Sequence, residues 1–339
     1  MSRPAILAVD GGGSKIDAAL VARTGRLIGA ARSYAYTYDG TDAVSRLEGI
    51  REAIKAACAD ARLSPDERPI AEVGVFCLAG ADLPQDDRRI ARALKKHGWA
   101  DTDIVRNDTF AVLRAGTERE WGVAVVCGHG TNCSGVAPDG RMCRFPAVGV
   151  ISGDWGGGSD VGEAALWYAL RARDGRGEKT TLASLVPAHF GMKRPRQVME
   201  AMYFGRLDED RVEELAPLVF RAAAEGDRVA QSIVDRQADE VVAMAGTAVR
   251  KLRLTKLDVE VVLGGGIFRN RYENFFDRIR EELWKVAPRA QVHVLTAPPI
   301  VGAALLGLDR LGCGPDTARR VRAALTHDRL RSETALGKE

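Results

Sequence analysis

Two glycine-flanked hairpins, each entered from a short apolar run, are where this chain could do chemistry. Ala5 to Val9 is apolar and leads into Asp10-Gly11-Gly12-Gly13-Ser14-Lys15, after which Ile16 to Ala22 alternates as a second strand. The spacing is neither the G-x-G-x-x-G of a dinucleotide-binding turn nor the G-x-x-x-x-G-K-[ST] of a P-loop. A glycine-rich hairpin between strands can still aim backbone N–H groups at phosphate oxygens, because glycine permits φ > 0 and a close approach. Asp10, at the strand end, would then hold Mg2+ through water, since that ion takes few carboxylates and completes its shell with substrate phosphates. Gly128-His129-Gly130-Thr131-Asn132 is an equivalent hairpin further on, and two such loops facing one cleft would clamp a polyphosphate from both sides. Either loop alone could be an ordinary turn; their coincidence favours the phosphate clamp.

Three further constellations accompany the hairpins. Asn107-Asp108 stands between a strand and a helix, where one positioned carboxylate can take the proton of an attacking hydroxyl, or can simply cap the helix. Gly153-Asp154-Trp155-Gly156-Gly157-Gly158-Ser159 sets an acid among glycines just ahead of a helix. Asp154 could accept hydrogen bonds from two sugar hydroxyls, and the helix N-terminus could favour an anion. Gly264-Gly265-Gly266 follows a strand and leads toward a helix, leaving room for an adenine ring against backbone or marking a tight β–α turn.

The elements that must position these residues read as an α/β protein. After Leu27 to Ala31, a third meander strand, helical spacing runs from Thr41 to Leu63. Strand Val73 to Leu78, a helix from Pro84 to Lys96, strand Ile104-Val105 and a helix from Phe110 to Ala115 follow. The pattern restarts at Trp121 with strands Gly122 to Cys127 and Asn132 to Ala137, then a Pro138-Asp139-Gly140 turn. Val161 to Arg171 is a helix, and Leu182 to Leu252 is nearly all helical. Strand Val259 to Leu263, helix Arg271 to Val286, strand Val292 to Leu295, helix Ile300 to Leu311 and a helix from Pro315 to Leu325 complete the chain. An internally duplicated strand meander, in a chain of 339 residues where single cores stop growing near ~250–300, predicts two α/β lobes around an inter-domain cleft. The boundaries fall at 1–117 and 118–314, the second lobe carrying a helical insertion over about 175–252.

Composition narrows the functional classes. A net charge of +3, with Lys and Arg dispersed, argues against nucleic acid and membrane surfaces. No apolar run approaches the ~20 residues of a membrane span, and no signal peptide is evident, which predicts a cytoplasmic protein. The six cysteines show no C-x-x-C spacing and read as reduced structural thiols.

In order and spacing, these features resemble the BadF/BadG/BcrA/BcrD ATPase and N-acetylglucosamine kinase family of the hexokinase/actin superfamily, from Ile6 to about Leu311. Ala8 to Ser14 looks like the family's first phosphate loop and Val125 to Cys133 like the second. Gly153-Asp154-Trp155-Gly156 resembles its G-D-E-G motif and Val261 to Gly266 its adenosine loop. The resemblance implies two RNase H-like lobes, with the helix over 315–326 crossing back to the first. It implies an ATP- and Mg2+-dependent kinase acting on an amino sugar, N-acetylglucosamine or glucosamine, and suggests a homodimer. It makes Asp108 the catalytic base and places Asn107, Thr131, Asn132, Gly149 and Asp154 toward the sugar. Asp10 is assigned to the metal, Gly12, Gly13, Ser14, Lys15, His129 and Gly130 to the phosphates, and Gly264 and Gly265 to the nucleotide.

The chain departs from that pattern at four places. His129 stands where the family has Thr, Trp155 where it has Glu, and about Val148 where it has an aromatic, with Gly149 kept. Ser33-Tyr34-Ala35 replaces S-T-N, making Tyr34, Tyr36 and Tyr38 candidate replacement contacts. The phosphate-handling parts are therefore kept and the sugar-reading parts altered. Two other readings compete. An activating ATPase would need a cysteine pair at a subunit contact, whereas Cys127 and Cys133 lie in the phosphate loop. A non-catalytic sugar sensor would not need Asp108.

Overall fold

In a computed structural model, which describes residues 3–13, 15–34 and 47–331, ten strands form two five-stranded sheets. The first contains β1 (Ile6–Gly11), β2 (Ile16–Val21), β3 (Leu27–Ser33), β4 (Ala71–Leu78) and β5 (Ala100–Asn107). Its order is β3-β2-β1-β4-β5, with β1 antiparallel to β2 and parallel to β4. The period of two along β1 sends Leu7 and Val9 to one face and Ile6 and Ala8 to the other. The first face packs on Ile50 and Ile54 of α1 (Leu47–Asp60) and Ile90 and Leu94 of α2 (Pro84–His97). The second packs on Ala111 and Ala115 of α3 (Asp108–Gly116). With both faces covered, β1 and β2 are buried end to end, which is why β1 reads as an apolar run.

The second sheet contains β6 (Gly122–Cys127), β7 (Thr131–Val136), β8 (Met142–Arg144), β9 (Glu260–Gly264) and β10 (Gln291–Val294). Its order, β10-β9-β6-β7-β8, repeats that of the first sheet, so the duplication expected from the hairpins is present in the topology. Between β8 and β9 lie α4 (Gly157–Asp174), α5 (Leu182–His189), α6 (Pro195–Tyr203), α7 (Ala216–Ala224) and α8 (Arg228–Lys251). α9 (Glu273–Val286) joins β9 to β10. After β10 come α10 (Ile300–Arg310), α11 (Pro315–Ala324) and α12 (His327–Arg331).

The chain divides into two compact units. One comprises 1–124, 134–140 and 294–339, and the other 125–133 and 141–293. In the first, α10 contributes Ile300, Val301, Ala304 and Leu305 to the core that holds Ala111 and Ala115. Arg114 of α3 pairs with Asp309 of α10 through two bonds of 2.7 and 3.1 Å. In the second, Asp227 caps α8, accepting from Val229 N and Ala230 N at 3.0 Å each. Among the described residues no helix is long and apolar enough to cross a membrane.

Candidate active site

The first unit gathers its charged groups at the β1–β2 hairpin. Asp10 is buried and lies opposite Asp17 in the β1–β2 register, a like-charge cross-strand pair that is unfavourable unless compensated. Asp17 is compensated. The Arg32 fork on β3 grips it at 2.6 and 2.8 Å, and the Lys15 ammonium lies 3.3 Å away. Asp10 has weaker help. Burial, then Asp17, push its carboxyl up to about 8, Asp108 adding to the rise and Lys15 and Arg32 opposing it. Asp10, Lys15 and Asp108 are thus brought into one electrostatic neighbourhood, with Asp17 and Arg32 as members the sequence reading did not include.

Asp108 is not the cap of its helix. Asn107 is, its side-chain oxygen accepting from Thr109 N at 3.0 Å and Thr109 Oγ1 at 2.6 Å while its amide donates to Asp82 at 2.8 Å. Thr109 Oγ1 is in turn hydrogen-bonded to Ser134 Oγ. This buried network fixes Asp108 at the first position of α3. Asn107, expected at the sugar, has both ends of its amide engaged with protein.

In the second unit the hairpin of Gly128 to Asn132 meets the start of α4. Gly158 N donates to Gly128 O at 2.8 Å and Ser159 N to His129 O at 3.0 Å. Gly157 N donates to the buried Gln237 side chain at 2.8 Å, and Gly156 N to Asp160 at 2.7 Å. The N-terminal N–H groups of α4 are therefore spent on protein acceptors, and the anion site expected at this helix end is not available. Gly157 has φ +87°, and a Cβ there would stand 2.4 Å from Gly130 O, so only glycine allows the hairpin this close. Gly265 answers a similar demand against Cys127 O, at 2.3 Å with φ +104°.

The other loop glycines have no such internal reason. Gly13, Gly128 and Gly130 would place a Cβ in open space, Gly12 would meet only Lys15 O at 3.9 Å, and none has positive φ. What bare Cα atoms preserve there is clearance beside the loop, as close approach of a polyphosphate requires. His129 is held at Glu213, 3.0 Å from Nδ1, and by Ser159 Oγ at 3.0 and 3.2 Å from its two ring nitrogens. Ser14 lies outside the described residues, as do Ala35, Tyr36 and Tyr38; Tyr34 is exposed.

Thr131 and Asp154 are buried in the second unit. Thr131 Oγ1 lies 3.2 Å from Cys127 Sγ, and Asp154 bonds Ser152 Oγ in the tight turn opened by Gly149. Asn132 accepts from Cys133 N at 2.7 Å. Gly264 closes β9. Burial pushes the Cys127 thiol up to about 12, and that of Cys133 well above its usual range. Among the described residues, no group of three His, Cys, Asp or Glu side chains could hold a metal unaided. Asp10 nevertheless suits Mg2+, whose shell is mostly phosphate and water: a cation beside this buried carboxyl would replace its proton.

Two five-stranded sheets of the same order, each with a glycine hairpin at its first turn, define an actin/hexokinase-like ATPase fold. Residues 7–307 match the BadF/BadG/BcrA/BcrD ATPase family, and the chain belongs to it. An N-acetyl-D-glucosamine kinase of Dictyostelium discoideum is 26% identical over 318 residues, covering 91% of this chain and 99% of the relative. An N-acetylmuramic acid/N-acetylglucosamine kinase of Clostridium acetobutylicum is 28% identical over 237 residues, 69% of this chain and 77% of the relative. A solved structure from Chromobacterium violaceum, assigned as an N-acetylglucosamine kinase, matches with a TM-score of 0.69 at 22% identity. It covers 91% of this chain and 100% of that one, a likeness of fold.

Proposed function

We propose that this protein is a cytoplasmic, ATP-dependent kinase that phosphorylates a hydroxyl of an amino sugar, N-acetylglucosamine or glucosamine. The observation that carries the reading is the carboxylate set of β1 and the start of α3. Asp108, fixed by the Asn107 cap, lies near enough to Asp10 to raise its proton affinity, so two acids with different partners serve one neighbourhood. Asp108 takes the proton from the attacking sugar hydroxyl, and Asp10 serves the metal side. Bound Mg2+ supplies charge neutralisation of the phosphates. Gly12, Gly13 and Gly130 leave the clearance for those phosphates, while Lys15 and His129 contribute positive charge or donors. Gly264 and Gly265 flank the nucleotide, and Thr131, Asn132 and Asp154 orient the sugar. The raised, packed thiols of Cys127 and Cys133 are poor candidates for cluster ligands, which bind as thiolates.

The test is ADP release with MgATP across glucose, glucosamine, N-acetylglucosamine, N-acetylmannosamine and N-acetylmuramic acid. An amino sugar should give the highest kcat/KM. If no sugar raises ADP release above the background ATPase rate, the kinase reading is wrong. If glucose surpasses every amino sugar, the amino-sugar assignment alone fails.

A further inference from the structure

Trp155 and Arg236 form a pair at the edge of the sugar-side loop. The Arg236 guanidinium, on α8, lies 3.9 Å over the Trp155 ring. Both ends are anchored. Trp155 sits between the buried Asp154 and Gly156, whose N–H is held by Asp160 at 2.7 Å. Arg236 is followed by Gln237, fully buried and accepting from Gly157 N at 2.8 Å. Among the described residues Arg236 makes no hydrogen bond and no ion pair, and it is exposed. A guanidinium laid on an aromatic face keeps its N–H edge in its own plane, oriented and able to donate.

The residue at 155 decides what that edge is for. A Glu there, as the family pattern has, would offer the guanidinium a carboxylate and occupy its donors. Trp orients the same group and leaves the donors open. The charged groups sharing this corner include Asp154, Asp160, Glu240 and Asp239, the last paired with Arg278, with His129 also acting on Asp160. None pairs with Arg236, and burial raises both Asp160 and Glu240. A ligand ammonium at the edge would meet the guanidinium head on. A ligand carboxylate would gain the guanidinium but face these acids. A neutral carbonyl oxygen escapes both penalties and accepts a charge-assisted hydrogen bond.

We infer that Arg236, held over the Trp155 ring, reads the acyl carbonyl oxygen of an N-acylated amino sugar beside Asp154. The inference rests on the sugar-kinase reading and narrows its substrate to the acylated class, with Arg236 determining specificity and Trp155 positioning it. The experiment measures kcat and KM of wild type, Arg236→Ala, Arg236→Lys and Trp155→Glu on N-acetylglucosamine, glucosamine, glucose and N-acetylmuramic acid. Urea midpoints confirm that each variant folds.

Wild type should prefer N-acetylglucosamine to glucosamine. Arg236→Ala should raise the KM for N-acetylglucosamine, relative to that for glucose, roughly 10- to 100-fold, equivalent to about 1.4–2.8 kcal/mol. The KM for MgATP should move less than about twofold, as expected of a donor that touches only the sugar. Trp155→Glu should reproduce the loss by pairing with Arg236, and Arg236→Lys should restore part of it. An equal rise for glucose, or a rise in the KM for MgATP instead, overturns the inference. So does a wild-type preference for N-acetylmuramic acid that Arg236→Ala abolishes, which would give the edge to a carboxylate. A wild type inactive on every sugar sinks the kinase reading itself, whereas activity with unaltered selectivity in Arg236→Ala sinks only this inference.

Discussion

Asp10→Asn isolates the energetic consequence of placing a carboxylate where Asp10 lies. The folded carboxyl holds its proton up to about 8, against a usual 3.8. Between those values the folded state binds more protons than the unfolded chain, so stability falls as pH rises through that window. One pKa unit corresponds to about 1.4 kcal/mol. From pH 6 to pH 9 the wild type crosses the last two units below the folded value and then levels off, losing about 2.5 kcal/mol through this group. Asn has the shape of the protonated acid and does not titrate, so the variant should not suffer that loss. Urea denaturation of both proteins at pH 6, 7, 8 and 9 in EDTA reads the difference directly. His97 and His327, whose pKa values burial lowers, titrate alike in both proteins and cancel. Asp10→Asn should gain on the wild type by about 2.5 kcal/mol over the range, most of it before pH 8. Parallel pH profiles would refute the argument that burial and Asp17 load this carboxyl with a proton.

Two more substitutions probe the hairpins and the base. Asp108→Asn should keep nucleotide binding, measured calorimetrically with a non-hydrolysable ATP analogue, while phosphoryl transfer falls by ~10²–10⁴; retention of most of the wild-type kcat would remove Asp108 as the base. Gly157→Ala forces a Cβ against Gly130 O at positive φ, which should lower stability in urea by ~1–3 kcal/mol. The displaced hairpin should raise the KM for MgATP more than that for sugar, and an unchanged denaturation midpoint would contradict the close packing.

Some of the architecture was legible because its signals are local. β1 and β6 are apolar runs that lead into glycine, and the buried residues of α8 recur at helical spacing. β5 was underestimated as Ile104-Val105, although it spans Ala100–Asn107. Its first residues are polar because they stand at the edge of the sheet, where pairing with β4 supplies the strand and composition does not. α3 begins two residues before the expected Phe110, because the cap is Asn107 and Asp108 is already the first residue of the helix. The described part of the helix expected over Thr41 to Leu63 runs Leu47–Asp60, its expected first turn lying outside the described residues.

The sequence by itself determined which side chains are available for chemistry: two glycine hairpins, an acid at the end of β1, an acid opening α3, and an acid among glycines. Each depends on residue types at short separation. Tertiary structure alone decided how they are charged and held. Asp17 is spent on Arg32 from the neighbouring strand, so the uncompensated carboxyl is Asp10. Asp108, 98 positions further along the chain, acts on Asp10 because β5 and α3 return to the sheet that β1 begins. Gln237, a polar residue in the apolar stripe of α8 that the sequence reading passed over, finds its partner, Gly157 N, 80 positions away. Trp155 looked like a lost Glu until α8 set Arg236 over its ring. Burial and opposing charge arise from residues distant along the chain, and a proton affinity or an open donor edge exists only once the fold has brought them together.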